Sequence, residues 1–251
     1  MTKSPNNAYL TYPFTRINPR LRLFCFPYAG GSSRIFQNWS KLFPDTIEVC
    51  PIQYPGRGNR LREQPFNSIT ALAADITQSL LPLFDIPFSF FGHSMGATVA
   101  FEVARHLRRS NKSLPLHLFV SGCRAPHLPK QLMFYNFPEP EFIHQLRLLK
   151  GTPAEVLEHP ELMQLLLPML RADFEAVQTY DYVAESPLSC PFSAYGGRED
   201  EEVSESSLDG WREHTTGPFS LQIFPGDHFY LQTSESLLTR ALILQLLDST
   251  S

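Results

Sequence analysis

The 251-residue sequence lacks the features that mark several large protein classes. Basic residues are not in excess: 21 Lys and Arg stand against 25 Asp and Glu, a formal net charge of −4, which argues against a nucleic-acid partner. No apolar stretch is long enough to span a membrane, because the best candidate, residues 80–101, contains Asp85 and His93. We therefore expect neither a nucleic-acid nor a membrane partner.

Cysteine is also scarce. The four cysteines, at positions 25, 50, 123 and 190, include no pair with Cys-x-x-Cys spacing, so we expect free core thiols and no metal. Residues 1–14 lack the apolar centre of a secretory signal, which leads us to expect a cytoplasmic protein. With no repeat or low-complexity tract, the length predicts a single domain over residues 1–251, with room for an inserted cap.

Strand-like and helix-like patterns alternate along most of the chain, after a polar segment over residues 1–20 that we expect to be a surface arm or a poorly ordered lead-in. Strands are predicted at residues 21–26, 46–52, 88–91, 116–120, 191–195 and 219–224. Helices are predicted after Ser32 and over residues 68–84, 97–107 and 234–247. This alternation predicts an α/β fold with a mostly parallel central sheet flanked by helices.

The alternation fails over residues 126–186, where no strand is predicted. Helical patterns occur at residues 139–149 and 153–182, with interruptions expected at Pro160 and Pro168, and the second pattern is rich in Leu and Met. Because this insertion follows a central strand, we predict that it forms a helical lid over the serine at position 94. The alternative is that these helices merely pack at the sheet edge.

The turn after the third predicted strand carries GHSMG at residues 92–96, which fits the G-x-S-x-G pattern of a nucleophile elbow. The pattern alone arises by chance in roughly one chain in ten of this length. Here, however, it joins an apolar strand to a helix of small residues, so we predict Ser94 as a nucleophile. The Met95 amide then points at the group attacked, and the AGGS loop at residues 29–32 is expected to supply a second amide.

A serine nucleophile needs a base, and the base needs an acid to orient it. In α/β-hydrolases these residues follow in the order Ser, Asp or Glu, His. The loops after the last two predicted strands open on the same face of the sheet and carry Asp200 and His228. We predict the triad Ser94, Asp200 and His228, with Glu199 and Glu201 still open as alternatives for the acid.

The neighbouring candidates are weaker. Asp227 is expected to bond its own turn backbone, and the side chain of His93 is expected to point away from the adjacent serine. His127 and His159 fall in the insertion, where exposed surface positions are expected.

Six motifs together resemble the type II thioesterases, which are stand-alone partners of polyketide synthases and nonribosomal peptide synthetases. They are FPYAGGS at 26–32, PGRG at 55–58, FGHSMGA at 91–97, LRADF at 170–174, GGRED at 196–200 and GDHF at 226–229. The resemblance extends over residues 20–247. Two departures are visible: Tyr54 stands where the family often has Leu, and Glu201 where Pro commonly follows the acidic residue.

The resemblance implies an α/β-hydrolase fold with a lid, Ser94 as nucleophile, His228 as base and Asp200 as acid. It also implies an oxyanion hole formed by the amides of Ala29 and Met95. The implied reaction is hydrolysis of acyl thioesters on the phosphopantetheine arm of acyl or peptidyl carrier domains, which removes stalled or aberrant groups. No cofactor is expected, because the pantetheine belongs to the partner, and we expect a monomer.

Three alternatives stay open at this point: a medium-chain thioesterase of a fatty acid synthase, which shares these motifs, a small-molecule esterase, and a non-catalytic α/β-hydrolase binding module. Docking of an acidic carrier also needs a basic patch. Two clusters are candidates for this patch, and they comprise Arg57, Arg60 and Arg62, and Arg105, Arg108, Arg109 and Lys112.

Overall fold

The computed structural model describes residues 7–10, 16–129 and 133–248. Six strands form one sheet: β1 Leu21–Phe26, β2 Ile47–Pro51, β3 Phe88–His93, β4 Leu118–Ser121, β5 Phe192–Gly197 and β6 Phe219–Phe224. Their order is β2-β1-β3-β4-β5-β6, and every pairing is parallel. The six predicted strands and the parallel sheet are confirmed, and β3 lies at the centre.

Helices cover both faces of the sheet. They are α1 Trp39–Leu42, α2 Ile69–Leu80, α3 Met95–Arg109, α4 Glu139–Leu149, α5 Ala154–Leu157, α6 Pro160–Thr179, α7 Glu205–Asp209, α8 Tyr230–Thr233 and α9 Glu235–Asp248. Short 3₁₀ turns lie at Ser33–Phe36, Gly58–Arg60, Leu81–Leu83 and Gly210–His214. Within the ranges given above, no helix combines the length and apolarity that crossing a bilayer requires.

The core consists of two apolar layers, one on each face of the sheet. Successive residues of β1 alternate between them: Phe24 and Phe26 pack with α2 and α3, whereas Leu23 and Cys25 pack with α1 and α9. Both sets are fully buried. This is the pattern expected of a parallel strand covered on both faces. The alternation also fixes the register in which β1 pairs with its neighbours, and the carboxyl ends of the parallel strands then lie at one edge of the sheet.

The start of the chain differs from the predicted surface arm. Tyr9 is 1% exposed, its hydroxyl donates to Asp75 at 2.5 Å, and its ring lies under the Arg60 guanidinium. Leu10 forms an antiparallel bridge with Ile52. Tyr9 therefore belongs to the core and Leu10 packs against it, because an aromatic ring gains much from burial even within a polar segment. Residues 1–6 and 11–15 lie outside the described residues.

The insertion between β4 and β5 contains α4, α5 and α6, which share their own apolar cluster. Pro160 begins α6, a favoured position for proline, but the interruption predicted at Pro168 is wrong because the helix continues through it. A proline inside a helix costs about 3 kcal/mol. Burial of Met163, Leu167 and Leu170 offsets this cost, at roughly 1.5–3 kcal/mol for each side chain.

Candidate active site

Ser94 lies at a tight turn between β3 and α3. Its backbone has φ 52° and ψ −120°, and its amide donates to the Ser121 carbonyl at 2.8 Å. Such a conformation costs a non-glycine residue on the order of 1–3 kcal/mol. A Cβ at Gly92 would lie 2.2 Å from the Gly96 carbonyl oxygen, and one at Gly96 would lie 2.1 Å from the carbonyl oxygen of Phe26. The flanking glycines therefore allow the close crossing that projects the serine.

His228 and Asp200 come from the loops after β6 and β5. The Nδ1 atom of His228 lies 2.8 Å from Oδ2 of Asp200. The other carboxylate oxygen, Oδ1, accepts hydrogen bonds from the backbone amides of Glu202 at 2.8 Å and Val203 at 3.1 Å. The Asp200 side chain is fully buried. Because a carboxylate only accepts, Nδ1 carries the proton and Nε2 is the basic nitrogen of the ring.

The other acidic residues of these loops have different partners. Glu199 is exposed and accepts the Gly226 amide, and Glu201 is exposed. Asp227 accepts the Phe229 amide at 2.9 Å, the bond to its own turn that the sequence predicts. The hydrogen bond to His228 thus distinguishes Asp200 from the alternatives that the sequence left open.

The structure brings the predicted site residues together around one cavity of about 540 Å³. Ser94, His228, Ala29 and Met95 all line it, and Asp200 lies behind His228. The insertion supplies much of the opposite wall, through Phe134, Leu149, Phe174, Val177 and Gln178. Residues separated by most of the chain length therefore meet at the carboxyl edge of the sheet, as expected for this type of fold.

Opposing effects set the pKa of His228. Burial lowers it, but the hydrogen bond to Asp200 and the negative charges of Glu202, Asp200 and Asp227 raise it above the ordinary 6.5 overall. His93 packs beside it, with the two ring centroids 5.1 Å apart, and bonds Ser121 at 2.8 Å. Burial, reinforced by the charge of His228, holds the pKa of His93 well below its usual range. Burial and the neighbouring charge therefore favour the neutral form of His93.

The sequence did not single out Glu202 as a site residue. Glu202 lines the cavity with His228, and burial raises its pKa, as do the charges of Asp200 and Asp227, while His228 opposes them. It is one of four consecutive acidic residues, and composition alone gives no signal that separates it from Glu201. Burial distinguishes them, and burial depends on the fold of the loop.

His127 and His159 are exposed, as expected, but His127 also lines the cavity. Its Nδ1 atom lies 2.8 Å from Nε2 of His214, whose pKa is lowered by burial to about 4. The two histidines lie 87 residues apart, so the sequence carries no local signal for this pairing.

The two basic clusters predicted for carrier docking are not open patches. Five of their seven cations form ion pairs within the chain, and Arg62 and Lys112 are the exposed members outside these pairs. The pairs are Arg57–Asp173, Arg60–Glu63, Arg105–Glu102, Arg108–Glu185 and Arg109–Glu185. Internal pairing neutralises most of the charge that docking would need.

The chain is similar to known thioesterases in both sequence and structure. The sequence matches the thioesterase domain family over residues 21–243. The gramicidin S biosynthesis protein GrsT of Aneurinibacillus migulanus is 47% identical over 217 residues, which are 86% of this chain and 85% of GrsT. The structure of YbtT, a type II thioesterase from the yersiniabactin nonribosomal peptide and polyketide pathway, has 34% identity and a TM-score of 0.82, covering 96% of this chain and 98% of YbtT.

The medium-chain S-acyl fatty acid synthase thioesterase of Rattus norvegicus is a more distant match, at 34% identity over 93% of this chain and 90% of its own length. A parallel sheet, a strained serine between β3 and α3, and a His–Asp pair at the same edge are the features of an α/β-hydrolase. We conclude that this chain has the α/β-hydrolase fold and belongs to the thioesterase domain family, where its relatives include type II thioesterases of nonribosomal peptide and polyketide pathways.

Proposed function

We propose that the chain hydrolyses acyl thioesters carried on the phosphopantetheine arm of acyl or peptidyl carrier domains, and so removes stalled or aberrant acyl groups. The observation that carries this proposal is the shared cavity of Ser94 and His228 in a member of the thioesterase family. The relatives from nonribosomal peptide and polyketide pathways favour carrier-bound substrates over the fatty acid synthase alternative.

In the first half of the reaction, Nε2 of His228 takes the proton of the Ser94 hydroxyl as Oγ attacks the thioester carbonyl. Asp200 holds the imidazole and stabilises its positive charge. The tetrahedral oxyanion accepts hydrogen bonds from the amides of Ala29 and Met95, and each such donor is worth about 10²–10³ in rate. The C–S bond then breaks, and His228 returns the proton to the leaving pantetheine sulfur.

In the second half, a water molecule attacks the acyl-serine ester while His228 takes one of its protons. The same amides bind the second oxyanion. The bond between the carbonyl carbon and the Ser94 oxygen then breaks. His228 returns the proton to the serine, and the acyl group leaves as a free carboxylic acid. All these steps use side chains and amides of this chain. The pantetheine arm is part of the substrate, and we propose that no further cofactor takes part.

We further propose that residues 126–186 form a lid over an acyl channel and that the enzyme acts as a monomer. The cavity wall contributed by Phe134, Leu149 and Phe174 is apolar and suits an acyl chain. The insertion rests largely on its own apolar cluster, which is small. Light scattering that gave the molar mass of one chain would support the monomer, and a dimer mass would contradict it.

The lid proposal predicts uneven hydrogen exchange. Amides of α4 and α5 are expected to exchange faster than those of β3 and α3, because fewer buried contacts hold them. Trapping Ser94 with a long-chain fluorophosphonate is expected to slow exchange in α4 and α5, since the acyl-like group then fills the channel. Exchange as slow as in the sheet, unchanged by trapping, would instead indicate static packing against the sheet edge.

The raised pKa of His228 predicts the pH dependence. Only the neutral imidazole accepts the serine proton, so kcat/KM is expected to fall on acidification with a midpoint above pH 6.5. The stability of the fold is expected to change with pH in the opposite direction. Because the pKa of His228 is higher in the folded than in the unfolded state, this residue stabilises the fold below pH 6.5, and the contribution is lost as pH rises through the folded pKa. Rate profiles and melting curves between pH 5 and 9 measure both. A midpoint below the ordinary value would contradict the assignment of His228 as the base.

The substrate class is tested by presenting one acyl group on a carrier protein, on coenzyme A and on a pantetheine analogue. We expect kcat/KM to be highest for the carrier protein, because an enzyme that edits many acyl groups must recognise what they share. We also expect this advantage to shrink at high salt, since carriers are acidic. Equal values that salt does not change would identify a general acyl thioesterase.

A further inference from the structure

Building on the proposed function, we infer that Asp173 on α6 is a positioning residue for the oxyanion hole. Its carboxylate holds the turn that carries Ala29, and Arg57 holds the carboxylate. The geometry therefore connects a helix of the proposed lid directly to one of the two oxyanion donors.

Asp173 makes three short hydrogen bonds in a nearly dry environment. The Arg57 guanidinium donates to both carboxylate oxygens, at 2.6 Å each, and the Gly30 amide donates to Oδ2 at 2.7 Å. Asp173 is 1% exposed and Arg57 4%. Arg57 also donates to the Gly31 carbonyl at 3.2 Å, so both Arg57 and Asp173 form hydrogen bonds to the same turn.

The turn itself has a defined type. The Gly31 amide donates to the Tyr28 carbonyl at 2.9 Å, which closes a four-residue turn with Ala29 and Gly30 at its centre. The φ of Gly30 is +77°, the value that a type II turn requires at its third position. A glycine there also permits the type I turn, in which the peptide between Ala29 and Gly30 is reversed.

Asp173 selects between these two turns. A carboxylate accepts a hydrogen bond from the Gly30 N–H, but it would repel the Ala29 carbonyl, which a reversed peptide would turn towards it. Fixing this peptide sets the ψ torsion of Ala29 and keeps the turn in one form. It thereby restrains the position of Ala29, whose own amide, in the preceding peptide, is the proposed oxyanion donor. Leu170, one turn earlier on α6, packs at the same place: a Cβ on Gly30 would lie 2.8 Å from its Cδ2.

Stability alone does not account for this arrangement. The desolvation of a buried ion pair often cancels its attraction, and apolar residues of similar volume are then as stable. Apolar residues could not accept the hydrogen bond from the Gly30 amide. The cluster therefore supplies a directed acceptor at the turn.

The test compares two carboxylate-to-amide substitutions. D173N is expected to lower kcat about 10- to 100-fold, below the full effect of losing one oxyanion donor, with KM changed less than twofold. The matched control is E102Q, because Glu102 is equally buried in an ion pair with Arg105 at 2.5 Å but contacts no part of the Ala29 turn. We expect E102Q to lower the melting temperature comparably and to keep kcat near the wild-type value.

Inhibitors separate positioning from general loosening. A trifluoromethyl ketone analogue forms an oxyanion at Ser94 and should bind D173N more weakly by the same factor as kcat falls. A thioether analogue has no carbonyl, so its affinity should not change. If both affinities fall together, or if E102Q loses as much kcat as D173N, Asp173 has only a structural role and the inference is wrong.

One further variant and one measurement on the wild-type protein cover the remaining outcomes. Should D173N fail to fold, the double variant R57M/D173L keeps the volume without buried charge, and it is expected to be folded but slow. A folded double variant with wild-type kcat would overturn the positioning role while leaving the proposed function intact. A wild-type protein that neither hydrolyses thioesters nor reacts with a fluorophosphonate at Ser94 would contradict the proposed function itself.

Discussion

Replacing Ser94 with Ala is expected to abolish thioester hydrolysis, with a loss of about 10⁴-fold or more in kcat. The proposed mechanism gives the reason: the oxygen of Ser94 is the atom that would form the acyl bond. Ser94 lies at a turn with a φ of 52° and lines the cavity. The fold should persist, because the substitution removes one partly exposed oxygen. Steady-state hydrolysis of an acyl thioester on a carrier protein measures the loss of activity, and melting curves of the wild type and S94A measure any change in stability.

The control for this substitution is S204A. Ser204 is an exposed serine that caps α7 by accepting the Ser207 amide at 3.2 Å. Losing that cap should cost about 1 kcal/mol of stability and leave turnover unchanged. Hydrolysis by S94A at a rate close to the wild-type rate would contradict the entire catalytic assignment.

The second large effect is expected for D200N, with a loss of about 10⁴-fold in kcat. An asparagine can turn its amide towards Nδ1 of His228 and donate to it, which places the proton on Nε2, where it blocks the base. The pKa of His228 should fall as well, because the bond to Asp200 helps to raise it. The acid limb of the rate profile should therefore move to lower pH.

The matched variant is D227N. Asp227 accepts the Phe229 amide at 2.9 Å, and an asparagine oxygen can accept the same bond. Its kcat should change only a fewfold, and its melting temperature should stay close to that of D200N. The opposite ranking of the two variants would show that the acid lies on the loop after β6.

The sequence predicted the strands, the parallel sheet and the nucleophile turn, because these depend on local periodicity and on glycine spacing. It located the acid only to within one residue. The structure suggests a physical reason for Asp200: its Oδ1 accepts amides two and three residues ahead, a local bond typical of Asp and beyond the usual geometry of Glu. That preference could have been used to favour Asp200 from the sequence.

What the sequence could not predict depends on contacts between distant residues. Arg57 and Asp173 lie 116 residues apart, so the sequence does not reveal that the Arg57 cation is paired within the chain and is not part of an open docking surface. Tyr9 was missed for the same reason, since its partner Asp75 lies on α2. The path of α6 through Pro168 follows from burial against the insertion cluster, and burial is not visible in the local helix signal.

The separate apolar cluster of the insertion has a consequence for evolution. Its buried residues are distinct from those of the two layers around the sheet, and Phe134 belongs both to this cluster and to the cavity wall. Free-energy effects of substitutions at distant sites are close to additive. Changes at Phe134 and at Leu149, the last residue of α4, can therefore reshape the acyl-facing wall while the two layers around the sheet, which hold Ser94 and His228, stay the same. Selection can thus diversify the choice of acyl group while the reaction itself is preserved.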